Sequence, residues 1–342
     1  MTLMSSGPRT WLTSLALLAG MMAGPAHALA QDKVVKIDGS STVYPITEAV
    51  AEEFQSESKG SIKVTVGISG TGGGFKKFCR GELDISNASR PIKKEEIEEC
   101  AKNGIEYIEL PIAFDALTVV INKQNTWAAN MTVAELKKLW EPEAQGKITK
   151  WNQINPAWPD AKIDLFGAGT DSGTFEYFTE AVVGKAKSSR GDYTASEDDN
   201  TLVKGVEGSR NALGYFGMAY YLSHKDKLAA VSVAWDKNKA TKDPVAPNAE
   251  NVINGSYAPL SRPLFIYINK KSLETRPEVK QFAKFYLDNI KSLVEEVNYV
   301  PLPDEAYTAV RARFEKQQTG SVFGGEGAIG VKIEDILKRE TK

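Results

Sequence analysis

The chain has 342 residues, with 42 Lys and Arg against 44 Asp and Glu, two Cys and two His. A near-neutral chain without a long basic run excludes a nucleic-acid-coating protein. So few Cys and His exclude a structural zinc site of four nitrogen or sulfur ligands.

Residues 1–30 carry one charged side chain, Arg9, followed by the apolar run Trp11–Gly24 and then small residues. Ala28, Leu29 and Ala30 fit an A-x-A cleavage pattern, which predicts a secretory signal peptide. The alternative is a retained anchor, but the run is shorter than the roughly 20 residues that span a bilayer. No cysteine lies nearby to carry a lipid, and no later stretch could cross a membrane. The mature chain, 31–342, is expected to be exported and soluble, and its length predicts two domains. His27 leaves with the signal. His224 remains and reads as a surface residue rather than a general base.

Val34, Val35 and Ile37 predict a short buried strand running into the polar turn Gly39–Thr42. Pro45 opens a helix, where its missing N–H costs nothing, and Ile46, Ala49, Val50 and Phe54 follow at helical spacing. Ile62, Val64 and Val66 alternate as a strand that ends in the glycine-rich turn Gly67–Gly74. A helix follows. A short strand near Ile85 ends in the polar turn Asn87–Arg90, and Pro91 is expected to start the next helix. Residues 105–123 hold two strand-like stretches. Thr132 and Glu135 form a capping box for a helix through Trp140. The strand 162–167 feeds the turn Gly167–Thr174 and a helix burying Phe175, Phe178 and Val182. A further apolar strand covers 264–270, and Val279, Phe282, Ala283 and Tyr286 mark a helix. Alternating strands and helices predict an α/β architecture with mostly parallel pairing.

Four times a strand meets a helix through a turn rich in glycine and hydroxyls. The first N–H groups of a helix have no partner within it and carry partial positive charge, so such a turn can hold an anion. Any one of them reads equally as an ordinary N-cap, and the glycine run as a hinge. Four together, with Arg90 in one of them, point to a tetrahedral oxyanion. Arg90 alone reads as well as a surface ion pair. The P-loop pattern is absent. Asp171-Ser172-Gly173 resembles an aspartic-protease signature, but the second copy that chemistry requires is missing. Cys79 and Cys100 are expected to form one disulfide between two helices, the alternative being two buried thiols.

The strings "DGSSTVYPITEAVAEEF", "GISGTGGGFKKFCRGELDISNASRPI", "GTDSGTFEYF", "NALGYFGMAYY" and "YVPLP" resemble, in order and as a set, the phosphate-binding proteins of bacterial phosphate ABC transporters. The resemblance implies a two-lobed periplasmic binding protein (type II) with two crossing strands, near 115–123 and 262–270. Lobe one would be 31–115 plus 262–342, and lobe two 120–258. Inorganic phosphate would lie between the lobes. The implied ligands are Ser41, Thr42 and Val43 from the first turn and Ser69, Gly70 and Thr71 from the second. Ser89 and Arg90 come from the third, and Ser172, Gly173 and Thr174 from the fourth. Two positions depart from the pattern. Ala168 stands where many relatives have an arginine, and Arg190 could substitute if its loop reaches the cleft. Ser89 stands where some relatives have an aspartate that accepts the phosphate proton. Asp171 is the stand-in, or else a helix cap.

The expected function is capture of phosphate in the periplasm and delivery to the membrane permease of an ABC importer, by a monomer without cofactor or catalysis. The rivals are another tetrahedral oxyanion and, further off, an exported phosphatase-like enzyme.

Overall fold

The computed structural model of the protein describes residues 33–340, so the expected signal peptide lies outside the described residues. The chain begins with β1 (Val34–Gly39), α1 (Tyr44–Glu57), β2 (Lys63–Val66), α2 (Gly70–Phe78), β3 (Ile85–Ala88) and α3 (Lys94–Lys102). The long β4 (Tyr107–Asn122) leads into β5 (Asn130–Thr132), α4 (Val133–Trp140), β6 (Asp164–Ala168), α5 (Gly173–Phe178) and β7 (Thr194–Ser196). There follow α6 (Asp199–Glu207), β8 (Ala212–Gly217), α7 (Met218–Ser223), β9 (Leu228–Ala230), β10 (Ser232–Ala234) and α8 (Ala249–Ile253). The chain returns through β11 (Ser261–Asn269) and closes with α9 (Lys270–Thr275), α10 (Pro277–Glu296), α11 (Asp304–Glu315) and α12 (Ile333–Glu340).

The main sheet runs β2-β1-β3-β11-β4-β8-β6-β7, with β9 also on β4, and β5 pairs separately with β10. Pairing is parallel at both flanks, β1 with β2 and β3, and β6 with β7 and β8. It is antiparallel in the middle, where β11 meets β3 and β4, and β4 meets β8. This departs from the mostly parallel expectation at its centre. The two strands there carry the chain in opposite directions between the flanks.

β4 is buried along its whole length. Its first part, from Tyr107 to Ala116, pairs with β11, and Leu117–Ile121 pair with β8. The two stretches read from the sequence are therefore one strand. Pro111 does not break it, because the register shifts there: Leu264 faces Ala113, and Phe265 faces Pro111. Such a bulge accommodates a residue with no N–H to donate.

Two aromatic clusters fix the flanks. On one, Phe54 of α1 meets Phe282 and Phe285 of α10 at 5.3 and 5.4 Å. On the other, Trp140 lies edge-on to Phe178 and Tyr215, which stack on each other at 3.9 Å. Phe178 belongs to α5, so this stack anchors the helix whose start carries Ser172–Thr174. The α5 helix continues as a π-helical turn over Thr179–Val183. Thr132 and Glu135 make the expected capping box, with Glu135 N donating to Thr132 Oγ1 at 3.1 Å and Thr132 N to Glu135 Oε2 at 2.8 Å. The third helix starts at Lys94 rather than Pro91, because the Glu96 carboxylate accepts from Lys93 N at 2.9 Å and sets the cap there.

Cys79 and Cys100 form the expected disulfide. It ties the end of α2 to α3 across 21 residues of sequence. A cross-link closing a loop of that size stabilises by about 3 kcal/mol. The double variant Cys79→Ser/Cys100→Ser is expected to lose roughly that much in urea unfolding, with the fold kept.

Candidate functional site

Each of the four turns places a short polar segment at the end of a strand. Ser41, Thr42, Thr71, Ser89, Ser172 and Thr174 are all buried. Burying so many hydroxyls is costly unless each finds a partner. Five of the six find partners within these turns. Thr42 Oγ1 lies 3.1 Å from Thr174 Oγ1, although 132 residues separate them. Thr71 Oγ1 lies 3.2 Å from Ser89 Oγ and accepts from Ser89 N at 3.1 Å. Ser172 Oγ caps α5 by accepting from Thr174 N at 3.1 Å. Gly173 packs directly on Thr71 and Ser89, so that a Cβ built on it would stand 2.5 Å from Thr71 Oγ1. Gly72 N donates to Asp171 O at 2.7 Å, which joins the second turn to the fourth. Gly70 has a φ of +75°, a left-handed conformation, and Asp171 O stands 2.7 Å from where its Cβ would be. Only glycine meets both demands.

The guanidinium in this cluster comes from Arg262 at the start of β11, which is completely buried. Its Nη2 donates to Thr42 Oγ1 at 3.1 Å, Thr174 Oγ1 at 2.9 Å and Asp115 Oδ2 at 2.9 Å. Its Nη1 is buried with no hydrogen-bond partner among the described residues. Asp115, on the crossing part of β4, also accepts from Met218 N at 3.1 Å. Burial pushes its carboxyl up, and Arg262 pulls it down again. The sequence reading missed both. The signal was a charged residue inside an otherwise apolar strand, in "IAFDALTVV" and "SRPLFIYIN". A charge is not buried in such a strand without a partner.

The other expected residues divide. Val43 is buried, and its carbonyl accepts Thr47 N. The Ser41 carbonyl accepts from Tyr220 Oη at 2.9 Å, and the Thr42 carbonyl from Tyr299 Oη at 2.6 Å. These bonds hold the first turn rigid. Ser69 is diverted: its hydroxyl donates to Asp38 Oδ1 at 2.8 Å.

Arg90 does not present its guanidinium to the cluster. It grips Glu96 with two bonds of 2.8 and 2.7 Å, donates to Pro91 O and pairs with Glu176. Burial would raise the Glu176 carboxyl, but Arg90, Lys93 and Lys187 hold it below the usual range. Arg190 does not substitute for the arginine missing at Ala168. It is clamped on Asp192 and on the carbonyls of Leu139 and Ile148. Asp171 turns outward to Lys76 at 2.7 Å, a pair largely in solvent, and so is no buried proton acceptor.

Three consecutive acidic residues, Glu197, Asp198 and Asp199, follow β7. Glu197 Oε1 accepts from Asp171 N at 3.1 Å and shapes the fourth turn. Asp198 caps α6 through Asn200 N at 2.9 Å. Asp199 is completely buried, and neither of its carboxyl oxygens completes a hydrogen bond among the described residues.

Buried donors from four turns, meeting at the junction of two strands that cross between sheet flanks, define a two-lobed α/β binding protein. The profile of the PBP superfamily domain matches residues 23–289. The chain is 51% identical to protein SphX of Synechococcus elongatus, over 96% of this chain and 95% of that protein. It is 38% identical to the phosphate-binding protein PstS of Staphylococcus saprophyticus, over 90% and 86%. Its fold matches a phosphate ABC transporter substrate-binding protein from Clostridium perfringens, solved with bound phosphate. That match has a TM-score of 0.65 and 28% identity, and covers 79% of this chain and all of that one. The chain belongs to the PBP superfamily and, within it, to the family of protein SphX and the phosphate-binding protein PstS.

Proposed function

We propose that this protein captures inorganic phosphate between its two lobes and delivers it to the permease of an ABC importer. Lobe one is formed by residues 31–115 and 262–342, and lobe two by 120–258. The bound anion is held by the hydroxyls and N–H groups of Ser41, Thr42, Val43, Gly70, Thr71, Ser89, Ser172, Gly173 and Thr174, with Arg262 Nη1 as a further donor. The observation that carries this reading is the free Nη1 of Arg262, buried beside two threonine hydroxyls. A guanidinium edge flanked by hydroxyls fits a tetrahedral oxyanion.

The chemistry is dehydration of an anion and its replacement of water by fixed dipoles, without bond making. Because Arg262 is paired with Asp115, the pair is neutral, and selection falls to the hydroxyl and amide donors. The protein works as a monomer in the periplasm. No helix among the described residues is long and apolar enough to cross a membrane.

Titration calorimetry on the mature protein tests this. Saturable binding of one phosphate at micromolar concentration is expected. A sulfate or molybdate signal without a phosphate signal would reject the ligand. Turnover of a phosphomonoester would reject a purely binding role.

A further inference from the structure

Asp199 is the first residue of α6, yet it is not the cap; Asp198 is. Its carboxyl lies inside the protein with 0% exposure. Two of the phenols around it are committed elsewhere. From α7, Tyr220 gives its proton to Ser41 O. From the turn after α10, Tyr299 gives its proton to Thr42 O. From β11, the Arg262 groups that bond go to Asp115, Thr42 and Thr174. Asp115 on β4 and Asp198 at the cap of α6 add negative charge, and Tyr215 on β8 adds an uncharged phenol whose hydroxyl has no hydrogen-bond partner among the described residues. What faces Asp199 from the anion cluster is the hydroxyl of Ser41. Burial, against the pull of Arg262, pushes its carboxyl up to about 7.

Ser41 has one proton to give. If Asp199 is ionised, that proton turns toward the carboxylate and away from the cleft, and a second negative charge stands beside the anion. If Asp199 is neutral, its own O–H can donate to Ser41 Oγ. The Ser41 proton is then free to point at the ligand. We propose that Asp199 is a proton-gated positioning residue, which must be neutral for Ser41 to donate to phosphate, so that capture of phosphate takes up a proton at this carboxyl. This rests on the phosphate reading above and assigns the site a dependence on pH that the ligand alone does not impose.

Phosphate itself ionises near neutrality, so the comparison must be between proteins. Calorimetry of phosphate binding by the wild type and by Asp199→Asn, in buffers of different ionisation enthalpy from pH 6 to 9, separates the two. Asparagine is a permanent neutral donor. The wild type is expected to take up more protons than the variant, with the difference approaching one above pH 7. The ratio of the two affinities should grow by about tenfold per pH unit there, as linkage to one proton requires. Equal proton uptake and parallel pH profiles would overturn the inference while leaving phosphate binding intact. No phosphate binding at any pH would take down the functional reading and this inference together. If the variant does not fold, infrared difference spectra of the wild type at pH 8 decide. A protonated-carboxyl band that rises on adding phosphate is expected, and its absence overturns the proposal.

Discussion

Arg262→Met is expected to destabilise the protein by about 3–5 kcal/mol, the cost of leaving one partner of a buried ion pair alone, and to abolish measurable phosphate binding. Asp115 would remain with its backbone bond from Met218 N and no counter-charge. Its only relief is to take up a proton. Its carboxyl is already raised by burial, and losing Arg262 removes the main influence holding it down. A group whose folded pKa lies above its unfolded value favours the folded state at low pH and loses that advantage as pH rises through the folded pKa. The penalty of the single variant should therefore shrink as pH is lowered. Removing both charges, as Arg262→Met/Asp115→Leu, should recover much of the stability, because apolar replacements of a buried pair are often neutral or better. It should not recover phosphate binding, since Thr42 and Thr174 would still lack the guanidinium. Urea unfolding and titration calorimetry on the three proteins read the two effects separately. Recovery of binding in the double variant would show that Arg262 is a strut and not a ligand.

The turns were legible in the sequence because their chemistry is local. Glycine where backbone must approach closely, and serine or threonine at a helix start, are required by the turn itself, so "GSST", "GTGGG" and "SGT" announce their geometry. The paired carboxylates and guanidiniums were not legible, because an arginine's partner is chosen by tertiary structure. Arg90 sits in the right turn, yet Glu176, 86 residues on, and Glu96 claim it. Arg262 lies in a strand read only for its apolar pattern, and the fold delivers it to the cluster. Asp171 and Asp199 show the same limit. Both follow strands and both stand near helix starts, but one faces Lys76 in solvent and the other is buried behind Ser41. Which of two similar carboxylates points inward depends on how α5 and α6 pack, and no spacing in the sequence encodes that. Residues 105–123 read as two strand-like stretches, and the structure makes them one strand, in which a bulge opposite Leu264 and Phe265 accommodates Pro111.

Gly173→Ala should separate closure from folding more sharply than any change of charge. Gly173 has no left-handed backbone to preserve, so alanine imposes no conformational strain. Its cost is contact alone. The added methyl would stand 2.5 Å from Thr71 Oγ1 and 2.6 Å from Ser89 Oγ, below any normal approach. Thr71 and Ser89 belong to turns of the first flank of the sheet, and Gly173 to the second. In a protein that opens and closes between those flanks, the clash exists only when it is shut. The ligand-free protein should therefore melt as the wild type does. Phosphate affinity should fall by at least 100-fold, since a penalty of about 2.8 kcal/mol on the closed form is two decades of affinity. Small-angle scattering gives an independent reading, because the variant should stay expanded at phosphate levels that compact the wild type. A ligand-free protein that melts lower with its affinity unchanged would place the clash within a single folded body, and the two flanks would then not part to admit a ligand.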